Sequence, residues 1–216
     1  DGQYLHDLYK SAYTPWEWHT QLFRAAKDAG LLCFSSPFDP TAVDFLEDLG
    51  CPAYKIASFE IVDTPLIKYV ASKGKPVVIS TGIAQIEDID RAVQAVRSQN
   101  NNQLALLKCT SAYPAALDQA NLRTMPDLAQ RYDTVVGLSD HTLGTIASTT
   151  AVAIGASIIE KHFILNKSVG GPDASFSLDV EEFKTLVKSI RETESALGSV
   201  QYELSETTNA SRQIAS

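Results

Sequence analysis

Short apolar runs alternate with helical patterns along the whole chain. Strand-like runs fall at residues 31–35, 54–57, 76–80, 104–109, 134–138 and 157–161. Most are apolar on both faces, as parallel strands buried between two layers should be. Between them apolar residues recur at helical spacing, with explicit start signals. Thr14-Pro15-Trp16-Glu17 reads as a capping box with proline at the first helical position, and Asp39-Pro40 and Thr64-Pro65 read as cap-plus-proline starts. Gly30, Gly50, Gly74 and Gly155 stand where helices should end. Strand starts recur at the length of a compact βα unit. Six such units in a row predict either a (β/α)8 barrel or a doubly wound sheet. No GxGxxG or GxxxxGK[ST] loop occurs, which favours the TIM barrel.

A complete barrel has eight strands, so six leave two to be accounted for; the resemblance described below implies that they are the first two. Residues 1–204 are assigned to a partial TIM-barrel catalytic domain. Residues 205–216 are polar with no packing pattern and read as the start of a linker.

The ends of these strands carry the candidate chemistry, because barrel active sites lie there. Two histidines stand out. His141 follows the run at 134–138 in Gly137-Leu138-Ser139-Asp140-His141-Thr142, and His162 follows the run at 157–161 in Glu160-Lys161-His162-Phe163. Consecutive parallel strands put such ends side by side. Two imidazoles placed there can bind one divalent cation and leave positions open for substrate or water. His6 and His19 lack a strand-end position and are not expected to be ligands.

The rest of the rim is rich in hydroxyls and amines: Ser36, Ser58, Ser80, Ser111, Ser139 and Lys55. These groups suit a phosphate or carboxylate where no phosphate loop exists. Lys55 interrupts an apolar strand, where its charge is costly unless it meets an anion or a carboxylate such as Glu60.

Composition narrows the partners. The chain has 216 residues, is 44% hydrophobic and carries a net charge of −8. An acidic chain without a basic run argues against nucleic acid or an anionic membrane. No apolar stretch approaches the ~20 residues of a membrane span, and no signal peptide is read at Asp1. Cys33, Cys51 and Cys109 form no CxxC pair and no even set, so unpaired thiols in a reducing cytoplasm are expected.

Seven motifs in order now resemble the sialic acid synthase family. They are Ser35-Ser36-Pro37-Phe38-Asp39, Lys55-Ile56-Ala57-Ser58-Phe59-Glu60, Ser80-Thr81-Gly82, Cys109-Thr110-Ser111-Ala112-Tyr113-Pro114, Gly137 to His141, Glu160-Lys161-His162-Phe163 and Gly170-Gly171-Pro172-Asp173. The resemblance runs from Pro15 to about Gly198. Within the family, the stretches 57–63, 108–114 and 171–178 are most similar to pseudaminic acid synthases. N-acetylneuraminate synthases more usually carry Asn at the position of Ser111 and His at that of Ala174. The departure points to a 2,4-diacetamido-2,4,6-trideoxy-hexose as the sugar.

The resemblance implies condensation of phosphoenolpyruvate with that sugar to give pseudaminic acid and phosphate. It also implies a divalent metal on His141 and His162, Mn2+ first, with Mg2+ and Co2+ as alternatives. Lys55, Ser36, Ser58, Ser80, Ser111 and Ser139 would bind phosphoenolpyruvate. Glu60 would orient or deprotonate the attacking water, and Tyr113 and Asp173 would contact the sugar or the metal's surroundings. Family members also carry an N-terminal segment with two further strands and a C-terminal antifreeze-like domain, and they act as homodimers. Alternatives stay open: an N-acetylneuraminate or legionaminic acid synthase, or an aldolase-type barrel that uses Lys55 as a Schiff-base nucleophile.

Overall fold

A computed structural model describes residues 13–214. Five strands form one parallel sheet in chain order: β1 (Tyr54–Ile56), β2 (Val77–Ser80), β3 (Leu104–Cys109), β4 (Val135–Asp140) and β5 (Ile158–Lys161). The helices are α1 (Trp16–Asp28), α2 (Pro40–Asp48), α3 (Thr64–Ala71), α4 (Ile86–Arg97), α5 (Thr124–Tyr132), α6 (Ile146–Ala153), α7 (Val180–Leu197) and α8 (Glu206–Ile214). Helices α3 to α6 are the crossovers between consecutive strands, so every strand points the same way and all strand C-termini share one rim. The result is an open half-barrel with β1 and β5 at its edges.

Register explains where the core sits. Ile56, Ile79, Leu106 and Val136 are successive partners across the sheet, and all are buried on the face that meets the helices. Val43, Leu46, Ile67, Val70, Val93, Met125 and Leu128 pack there from the helix side. Strand side chains alternate. Lys55, Ser80, Leu107, Cys109, Gly137, Ser139 and Glu160 therefore share the opposite, concave face. Apolar runs on both faces were expected. The concave face is apolar only lower down, at Leu107 and Ala105, and turns polar toward the rim.

Several local expectations need correction. The run at 31–35 is not a strand; only Ser35 pairs, through a single bridge to Tyr54. A strand needs a ladder of partners, and Leu31, Leu32 and Phe34 instead lie exposed along the sheet edge. Thr14 does not cap α1. Pro15 is extended and serves as the N-cap itself, so the helix starts one residue later, with no side-chain cap. For α3 the cap is Asp63, whose carboxylate accepts from the Leu66 N–H, and Thr64 is already helical. Asp39 caps α2 as expected, accepting from the N–H groups of Thr41 and Ala42. Gly30, Gly50, Gly74 and Gly155 all take positive φ at helix ends. The polar tail contains α8, with the Ser205 side chain accepting from the Thr208 N–H. Periodicity in polar residues alone gave no sign of it.

Candidate active site

The rim brings most of the candidate residues together. Lys55 projects from β1 into the concave face and is 8% exposed. Its ammonium donates to Ser80 Oγ at 2.8 Å and to the Ile56 carbonyl at 3.1 Å. It also lies 3.6 Å from Glu160 Oε2 on β5. Ser139 on β4 closes the chain of contacts, donating to Glu160 Oε1 at 2.6 Å.

Beside this cluster the backbone comes very close. The Gly82 N–H donates to Ser58 Oγ at 3.0 Å. A Cβ at Gly82 would stand 2.7 Å from Ser58 Oγ and 2.9 Å from Cys109 Sγ, and closer still to Ser111 Oγ. Only glycine fits, so three side chains can crowd against its Cα, one of them within hydrogen-bond reach of its N–H. Ser111 Oγ and Glu60 Oε2 are buried and make no hydrogen bond of normal geometry. Burial pushes the Glu60 carboxyl above the usual carboxylate range, against the opposing pull of its own backbone N–H and Lys55. Buried polar atoms of this kind are normally satisfied, and unsatisfied ones call for an account.

The two histidines meet. Their ring centroids are 5.2 Å apart. His141 Nδ1 lies 2.9 Å from the Thr110 carbonyl, which fixes the tautomer and leaves Nε2 with its lone pair. His162 Nδ1 lies 3.3 Å from Asp173 Oδ2. Burial lowers the His162 pKa below the ordinary histidine value, with His141 and Lys161 adding to the effect and Asp173 and Glu160 opposing it. Tyr113 packs on His141, centroid to centroid 4.4 Å, and Phe176 packs edge-on against His162 at 5.0 Å. Both rings are reached through backbone ties: Ala115 N–H donates to the His141 carbonyl and Leu178 N–H to the His162 carbonyl, each at 2.9 Å. An open pocket of about 770 Å³ adjoins them, lined by Phe59, Tyr113, His162, Asp173 and Phe176 among others.

Two imidazoles so arranged could hold a divalent cation. Among the described residues no three His, Cys, Asp or Glu side chains gather into a ready-made cage. Among these residues His141 and His162 are the two nitrogen ligands on offer, with the other positions open to further donors.

Of the residues expected at the site, Lys55, Ser58, Ser80, Ser111, Ser139, Glu60, Tyr113, Asp173, His141 and His162 lie along this rim. Ser36 follows the bridge at Ser35, half-buried, and makes no hydrogen bond to the others among the described residues. His19 is away on α1, against the Pro15 carbonyl and the Phe45 ring. His6 lies outside the described residues. Sequence reasoning missed Glu160 and Cys109. Glu160 was findable, because it stands two residues before His162 and strand alternation puts both on one face. Cys109 passed for a core thiol. It is buried, yet its sulfur lies 3.8 Å from His141 Nδ1. Burial would push its thiol up, but His141, Ser58 and Ser139 around the sulfur outweigh that and hold it below the ordinary range.

Comparison with known proteins adds an independent line. A sequence model of the NeuB family matches residues 1–202. The chain is 46% identical to a pseudaminic acid synthase of Campylobacter jejuni subsp. jejuni serotype O:23/36 (strain 81-176), over 95% of this chain and 60% of that protein. It is 48% identical to a pseudaminic acid synthase of Helicobacter pylori (strain ATCC 700392 / 26695), over 92% of this chain and 58% of that protein. The chain thus spans about 60% of the length of these relatives. Among solved structures, an N-acetylneuraminic acid synthetase from Leptospira borgpetersenii serovar Hardjo-bovis in complex with citrate superposes with a TM-score of 0.89 at 29% identity, over 96% of this chain and 73% of that one.

Proposed function

The chain belongs to the NeuB family, and from that premise we propose that it forms the catalytic rim of a synthase joining phosphoenolpyruvate to a 2,4-diacetamido-2,4,6-trideoxy-hexose, giving pseudaminic acid and phosphate. The observation that carries this reading is the placement of an ammonium-and-hydroxyl cluster and an imidazole pair on one concave rim. The first suits a small phosphorylated acid and the second suits a cation beside a sugar.

Lys55 supplies the buried positive charge for phosphoenolpyruvate, with Ser80, Ser58, Ser111, Ser139 and the Gly82 N–H as donors around it. In the free protein Glu160 stands in part for that anion. Ser36, half-buried beyond the bridge at Ser35, completes this set. The donor set of His141 and His162 fits a divalent cation, Mn2+ first, because the Thr110 carbonyl leaves the His141 Nε2 lone pair available. Such an ion would supply Lewis acidity toward the aldehyde oxygen of the open-chain sugar. The methylene carbon of phosphoenolpyruvate attacks the aldehyde carbon, and positive charge develops at the carbon bearing the phosphate. Water adds there and phosphate leaves by C–O cleavage. Glu60, protonated more readily than an ordinary carboxyl, orients that water and takes or returns its proton. Asp173 holds the His162 ring, and Tyr113 and Phe176 wall the sugar pocket.

The same reading closes the eight-strand barrel with the run at 31–35 in the place beside β1, where Leu32 is 84% exposed, and two further strands beyond it. It places the enzyme in the cytoplasm as a homodimer. No helix among the described residues is long and apolar enough to cross a membrane. The test is a coupled assay of phosphate released from phosphoenolpyruvate with a panel of amino sugars. Release that requires a 2,4-diacetamido sugar supports the reading, and borohydride trapping of a sugar on Lys55 would replace it with the Schiff-base aldolase.

A further inference from the structure

We propose that the buried ion pair between Asp140 and Lys161 is a positioning device that sets the spacing of His141 and His162 for one divalent cation. The inference rests on the metal reading given above.

The two partners occupy matched places. Asp140 is the last residue of β4 and Lys161 the last of β5, and they are register partners across the two strands. Each immediately precedes one histidine. Strand alternation therefore sends the pair to the helix side and the two imidazoles to the concave side. The Lys161 ammonium lies 2.9 Å from Asp140 Oδ2, with side chains only 2% and 1% exposed.

The carboxylate is saturated by groups that fix the turn beyond His141. Oδ1 accepts from the Thr142 N–H and the Thr142 hydroxyl, each at 2.8 Å. Oδ2 accepts from Ser148 Oγ on α6 at 2.6 Å. The Lys161 ammonium also donates to the Thr142 carbonyl. One side-chain network thus ties the residue before His141, the residue after it, the residue before His162 and the neighbouring helix. A fully buried ion pair is a weak source of stability, because desolvation offsets its attraction, and its best-attested use is to fix one arrangement. What this pair fixes is the relative height and angle of two strand ends whose next residues hold rings 5.2 Å apart. Neither charge faces the substrate pocket. They are positioning residues acting through the histidines.

The test uses equilibrium dialysis with Mn2+, the visible spectrum of the Co2+ form and thermal melting. The central variant is Asp140→Asn with Lys161→Met. It removes both charges together and leaves no buried charge unpaired. Its melting temperature should stay near that of the unmodified chain. Its Mn2+ affinity should fall about 10- to 100-fold, the range for outer partners of metal ligands, and its Co2+ bands should shift. Affinity and spectrum equal to those of the unmodified chain would overturn the proposal and leave the pair a purely structural feature. His141→Ala separates the two readings. If it binds Mn2+ as well as the unmodified chain does, the metal site itself is wrong. Should the double variant fail to fold, Ser148→Ala serves, since it removes one hydrogen bond to Asp140. A several-fold loss of Mn2+ affinity at an unchanged melting temperature is then expected, and unchanged affinity would overturn the proposal.

Discussion

Lys55 Nζ and Glu160 Oε2 lie 3.6 Å apart although their strands form opposite edges of the sheet. Along a flat sheet four strand spacings would separate those strands by about 19 Å, beyond the reach of the two side chains. The contact therefore measures the curl of the sheet, and that curl brings anion-binding and metal-binding candidates onto one rim.

The same contact gives a prediction. Lys55→Ala should weaken phosphoenolpyruvate binding by roughly 30-fold to several thousand-fold, as when one partner of a buried charged pair is lost (about 2–5 kcal/mol). Arginine should not restore it, since a longer forked group replaces a point charge. Titration calorimetry of the full-length enzyme with phosphoenolpyruvate checks both. An effect confined to the sugar's Michaelis constant would contradict the assignment.

The sequence and the structure differ most where pairing, rather than pattern, decides. The runs at 54–57, 76–80, 104–109, 134–138 and 157–161 became strands within one or two residues, because short apolar runs between turn signals have few other uses. The run at 31–35 is apolar too but forms only one bridge. Lys55 and the two histidines were legible as charge or imidazole at a strand end. Glu160 was not noticed beside its histidine neighbour, and the role of Asp140 and Lys161 depends on register, which no local pattern reveals.

Glu60 offers a pH test. Its folded pKa is raised, chiefly by burial. A raised carboxyl contributes stability fully present below its unfolded pKa and lost as pH rises through its folded value. Glu60→Gln should therefore melt higher than the unmodified chain at neutral pH, with the difference shrinking toward acid. Thermal melts across that range decide it, and a difference that grows toward acid would contradict the burial argument.

Gly82→Ala should cost about 1–3 kcal/mol by overpacking, since the new methyl meets Ser58, Cys109 and Ser111. It should also blunt phosphoenolpyruvate binding by displacing those hydroxyls. Denaturant unfolding together with ligand titration separates the two effects. Unchanged binding would remove Gly82 from the anion site.

The proposed function makes a prediction about substrate choice. On that reading the small Ser111 and Ala174 would leave room for a second acetamido group, and Phe59 and Phe176 would offer apolar surface to a 6-deoxy methyl. A buried methyl is worth only ~0.8 kcal/mol, so the larger discrimination must come from polar groups left unpaired by the wrong sugar. The diacetamido sugar should be preferred over N-acetylmannosamine by at least ~100-fold in kcat/KM. Comparable values would overturn the choice of sugar and leave the condensation chemistry standing.

The most direct test of the condensation itself follows the bridging oxygen of phosphoenolpyruvate. The full-length enzyme, loaded with Mn2+ and given the diacetamido sugar, is supplied with substrate carrying 18O between carbon and phosphorus. C–O cleavage predicts that the released phosphate retains the label and that release requires the sugar. Unlabelled phosphate, or release indifferent to the sugar, would contradict the account.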